Sequence, residues 1–173
     1  MTADKIIATI DFEASSLSMQ GEPIEVGIAL WQRDGPIRTW SSLIYMIDDV
    51  SWSEESAEIH GIGREELLRA PHPARVAERL NAHMANSPFA FCDGGESDLR
   101  WMWQLYSAGN TNPVFRLLPF EAMPGLHIEA VRNRMWEFLD TTKAPHRAGP
   151  DAVRLMHAYA YALGEEPVVL QDL

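Results

Sequence analysis

With 173 residues, 46% of them hydrophobic and 23% charged, the chain can build one full-sized core but not two ordinary domains. A formal charge of -11 argues against wrapping long nucleic acid and for gripping, at most, a short end of a strand. No apolar run approaches the roughly 18 residues of a membrane span, so no membrane partner is expected; a single Cys92 and an opening "MTADKIIATI" unlike a secretory signal point to a reducing cytoplasm.

"KIIATID" reads as a short buried strand that ends at its first acid. "PIEVGIALWQ" is a β-rich alternating run, "RDG" a turn, and "PIRTWSSLIYMI" a further strand, which together give an antiparallel meander. "SEESAEIHGIGREELLRA" reads as two short helices separated by Gly61 and Gly63. From 73 to 84, Val76, Ala77, Leu80 and Met84 share one helical face. "PFAFCD" is a compact buried strand, and "ESDLRWMWQLYSA" a helix with Leu99, Met102, Trp103 and Tyr106 at core spacing; Trp101 falls off that face and reads either as the mark of a subunit contact or as a lone exposed Trp. "VFRLLPF" is a fifth strand, helices cover 126–139 and 150–163, and the tail "GEEPVVLQDL" receives no assignment. Three strands followed by alternating helix and strand predict a mixed α/β sheet with helices on its faces. One domain spanning 1–173, with its core at about 5–163, is the expected organisation.

Five residues stand out for chemistry. Asp11 and Glu13, two apart on a strand, project from the same face where that strand leaves the core. Carboxylates in that position are costly without a cation. Asp98 lies near the start of its helix, where capping alone would explain it, but Asp93 and Glu96 crowd the same turn around Gly94 and Gly95. His146 and Asp151 stand five apart across a helix start marked by Pro150. A helix-borne carboxylate suits a rigid metal ligand, and a loop imidazole suits a general base. Each of these readings has a plain structural alternative; their joint occurrence does not.

Taken in order, "IDFEASSL" with "PIEVGIAL", then "FCDGGESDLRWM", then "HRAGPDA" resemble the three motifs of the DEDDh group of 3'→5' exonucleases, the group of RNase T, oligoribonuclease and the proofreading subunits of bacterial polymerases. "AEIHGIGREELL" looks like that group's segment beside the terminal nucleotide. Two departures accompany the resemblance. Gly94 stands where the second motif usually has Asn, and Ser97 where a Phe commonly precedes the Asp; Asp93 is a candidate compensation.

The resemblance implies a ribonuclease-H-like fold with a central five-stranded mixed sheet flanked by helices. It implies two divalent cations, Mg²⁺ or Mn²⁺, held by Asp11, Glu13, Asp98 and Asp151, with Asp11 bridging. His146 is then the base that activates water, and Leu17, His60 and Ile62 contact the terminal nucleotide. The expected partner is the 3' end of a single-stranded or short nucleic acid, cut to nucleoside 5'-monophosphates, and homodimerisation would fit several relatives. Two alternatives stay open: a proofreading subunit acting beside a polymerase, and an inactive nucleic-acid-binding module.

Overall fold

A computed structural model describes residues 5–46 and 51–171. The last residue of the expected third strand, Ile47, and the end of the tail lie outside the described residues. β1 (Ile7–Ala14), β2 (Pro23–Trp31) and β3 (Ile37–Leu43) form the antiparallel meander. β4 (Phe89–Cys92) adds to the free side of β1 in parallel, and β5 (Arg116–Pro119) adds in parallel to β4.

Among the described residues the sheet has six strands, not five. Residues Val169–Leu170 form β6, which pairs in parallel with the outer edge of β3 and completes the order β5-β4-β1-β2-β3-β6. Two residues carry no periodicity to read, so only the pairing reveals this strand. The remainder is the expected ribonuclease-H-like α/β architecture.

Helices cover both faces. α1 (Glu54–His60) and α2 (Arg64–Leu67) are short, and α3 (Pro73–Met84) and α4 (Glu96–Ala108) pack on one face. α5 (Glu129–Thr141) and α6 (Ala148–Ala162) pack on the other. Strand alternation sorts β1 between the two layers. Ala8, Ile10 and Phe12 enter the α3/α4 core, so Thr9, Asp11 and Glu13 point to the α6 side. Thr9 Oγ1 donates to the carbonyl of Ala152 at 2.6 Å and fixes α6 against β1. Among the described residues no helix is long and apolar enough to cross a membrane.

The face of α4 differs from expectation. Its buried residues are Asp98, Trp101, Met102, Leu105 and Tyr106, while Leu99 and Trp103 are exposed. Apolar residues occur nearly all round this helix, so hydrophobicity alone sets no phase. At 5% exposure Trp101 belongs to the protomer's own core and marks no subunit contact.

Candidate active site

Asp11 is the centre of the site, and three separate approaches bring partners to it. The first is along its own strand, where Glu13 follows at the two-residue repeat on the same face.

The second is through α6. Asp11 is paired in register with Gly27 on β2, and a Cβ at Gly27 would overlap the backbone of Ala148 and Gly149. Only glycine lets the first turn of α6 settle this close to the sheet. Glu25, paired with Glu13, is 3% exposed in the middle of the sheet. Its carboxylate accepts from Arg147 Nε at 3.0 Å, from Arg147 Nη2 at 2.7 Å and from the Ala148 N–H at 2.9 Å. The Arg147 N–H in turn donates to Asp151 Oδ2 at 2.9 Å. His146 precedes this clamp, exposed and in the left-handed region at φ 58°.

The third approach is from β4 and α4. The parallel register Thr9↔Phe91 brings Asp93 level with Asp11, just past the end of β4. Asp98, 1% exposed, turns back from the first turn of α4 and accepts from the Gly94 N–H at 3.0 Å.

Two carboxylate triads result, and Asp11 belongs to both. One is Asp11, Glu13 and Asp151; the other is Asp11, Asp93 and Asp98, and within each the ligand oxygens lie within 4.8 Å of one another. So dense a cluster resists ionisation. Burial, and after it the charge of Asp98 and Glu13, holds the Asp11 carboxyl well above the usual range. Burial first, then Asp151 and Glu25, raises Glu13 to about 7. Burial and then Asp93 raise Asp98 to about 7, and burial also raises Asp151. All-oxygen donors that repel one another fit hard divalent cations, whose charge offsets both the repulsion and the desolvation.

The nucleotide-contact candidates occupy the neighbouring loops. Leu17, 77% exposed, sits on the loop that follows β1. Serine contacts tie this loop to the approach to α1: Ser15 Oγ donates to the Ser51 carbonyl at 2.8 Å, and the Ser53 N–H donates to the Ser15 carbonyl at 2.8 Å. At the far end of α1, buried His60 accepts the Ile62 N–H on Nδ1 at 3.0 Å, and its buried Nε2 has no hydrogen-bond partner. Burial lowers its pKa, with Glu25 and Arg147 near enough to act on it in opposite senses. Ile62 is buried with Ile24, Met46 and Leu67, so of the three side chains Leu17 is the one facing solvent.

Sequence reasoning missed Glu25 and Arg147. The available signal was Glu25 itself, a carboxylate inside an otherwise apolar strand that needs a cationic partner.

The solved structures with this architecture agree in kind. The nuclease domain of 3'hExo, described as a DEDDh family member bound to rAMP, superposes with a TM-score of 0.71 over 94% of both chains at 17% identity. The fold is that of the DEDDh 3'-exonucleases. A 3'-exonuclease that recognises the histone mRNA stem-loop matches with a TM-score of 0.73 at 15% identity, over 95% of this chain and 84% of that one. E. coli exonuclease I in complex with a dA16 oligonucleotide gives 0.68 at 12% identity, over 90% of this chain and 40% of the larger one. No protein-family model and no curated protein sequence matches the chain.

Proposed function

We propose that the chain is a metal-dependent 3'→5' exonuclease acting on the ends of single-stranded or short DNA or RNA. The observation that carries this reading is the pair of carboxylate triads sharing Asp11, in the middle of the β1 strand of a DEDDh-type fold. Asp11, Glu13 and Asp151 would hold one Mg²⁺ or Mn²⁺ ion, and Asp11 with Asp98 and Asp93 the other. When bound, two such ions stabilise the attacking and leaving oxygens of an in-line displacement.

The chain's own residues orient the reaction. His146, exposed beside the Asp151 end of the cluster, accepts a proton from water at an imidazole nitrogen. That water oxygen bonds to the terminal phosphorus, the P–O3' bond breaks, and the shortened strand's 3' oxygen takes a proton. The terminal residue leaves as a nucleoside 5'-monophosphate. Leu17 contacts the terminal base from the loop, and His60 and Ile62 shape the wall behind it.

Purified protein should convert 5'-labelled single-stranded DNA or RNA into a ladder of shorter products with Mg²⁺ or Mn²⁺ and none with chelator. Asp11→Ala should abolish the ladder. A wild-type chain that binds but never shortens such strands would favour a binding module.

A further inference from the structure

A groove of about 770 Å³ runs beside α4, lined in part by Tyr45, Pro73, Arg100, Trp103, Gln104 and Glu22. Arg100 is an anomaly in a chain with 25 acidic and 14 basic residues. Among the described residues no carboxylate pairs with it, and its Nε and Nη2 are buried with no hydrogen-bond partner. Its Nη1 donates to the thioether of Met19 at 3.1 Å, a weak acceptor for a guanidinium, and the group lies 5.5 Å from the centroid of the Trp101 ring. Gln104 repeats the pattern: its Nε2 donates to the Gly21 carbonyl at 3.1 Å, while its buried Oε1 has no partner. Trp103, 52% exposed, presents an indole on the same wall.

We propose that this groove binds the nucleic-acid strand upstream of the bond being cut, an inference that rests on the exonuclease reading above. A backbone phosphate displaces the Met19 thioether from Arg100, giving charge-assisted hydrogen bonds to a guanidinium that in the free protein has two nitrogens without a hydrogen-bond partner. A neighbouring base stacks on Trp103, and Gln104 Oε1 accepts from a base N–H. The groove shares the loop after β1 with the site, since Arg100 reaches Met19 and Gln104 donates to the Gly21 carbonyl on that loop. Met19 lies two residues beyond Leu17 on the loop leaving the Glu13 strand, and Arg100 lies two residues beyond Asp98 on α4. Glu22, the carboxylate at the groove, is exposed and screened by salt, whereas most of the Arg100 guanidinium is shielded.

The test compares the p-nitrophenyl ester of thymidine 5'-monophosphate, which has no upstream strand, with a thymidine decanucleotide. Arg100→Ala should raise KM for the decamer about tenfold and lower the slope of log affinity against log salt by about 0.7, the value for one single-strand phosphate. Trp103→Ala, at an exposed position that tolerates truncation, should raise KM for the decamer roughly tenfold with the salt slope unchanged. Both variants should process the ester like wild type. Unmoved KM for the decamer in both, or equal losses on both substrates, would overturn the groove alone. A wild-type chain inactive on both substrates would overturn the groove together with the exonuclease reading.

Discussion

Glu25 and Arg147, 122 residues apart in sequence, form a two-pronged ion pair that pins the start of α6 to the centre of the sheet. The same Glu25 carboxylate takes the Ala148 N–H, and the Arg147 N–H holds Asp151. One buried acid thus sets the position of two candidate catalytic groups that it does not touch, Asp151 and the neighbouring His146.

Glu25→Gln should therefore act mainly on turnover. The amide keeps the size but loses the charge-assisted pairing, costing about 1.5–3 kcal/mol of stability, discounted toward the lower end because the Arg147 side chain is 41% exposed. A displacement of α6 by a fraction of an ångström should lower kcat by roughly 10- to 100-fold. Urea denaturation and steady-state kinetics check both; unchanged kcat in a destabilised variant would restrict Glu25 to holding the fold.

Gly94 and Asp98 offer a second test. A Cβ at position 94 would stand 2.5 Å from Asp98 Oδ2, so Gly94→Ala must turn that carboxylate away from its hydrogen bond. The turn itself is exposed and should fold. The Mn²⁺ concentration for half-maximal activity should rise about tenfold, with Tm changed by only a few degrees. The same contact accounts for glycine where the related motif usually has asparagine: here the Asp98 side chain occupies that space.

Asp93→Asn tests whether the second triad contains an additional carboxylate. Asp93 is exposed and lies in the same 4.8 Å group as Asp11 and Asp98. The metal concentration for half-maximal activity should rise several-fold while kcat at saturating metal falls little. An unaltered metal titration would reduce Asp93 to a bystander at the turn.

Stability of the metal-free protein should fall as pH rises. Burial and neighbouring carboxylates push Glu13 and Asp98 up to about 7 in the folded state, from ordinary values of 4.5 and 3.8, so the folded protein holds protons that the unfolded chain has lost. Stability from these sites is full below about pH 4, declines through pH 4–7 and levels off above. Mg²⁺ should consequently raise Tm more at pH 8 than at pH 5.5. Asp11→Asn, which removes a third carboxyl held above its usual range, should flatten the metal-free profile. A Mg²⁺ increment larger at pH 5.5 would reverse the sign and contradict it.

The parts of this architecture visible in the sequence are those with local patterns. The alternation of β1 puts Asp11 and Glu13 on one face without reference to any neighbour, and Pro150 marks the turn that carries Asp151. What stayed hidden depends on long-range geometry. The pairing of Glu25 with Arg147 requires the β1–β2 register and the landing point of α6 over Gly27. The phase of α4 is set by Asp98 turning into the site, against a helix whose apolar residues point in every direction. Asp93 gains its place only because β4 stops level with the middle of β1.

The most direct test follows the first bond cut. A single-stranded oligonucleotide labelled in its 3'-terminal nucleotide, given Mn²⁺ and the protein, should release that label first as a nucleoside 5'-monophosphate. His146→Ala should bind Mn²⁺ like wild type and release almost none. Label first appearing in longer fragments, release starting at the 5' end, or near-normal release by His146→Ala would contradict the assignment of these residues to a 3'→5' exonuclease.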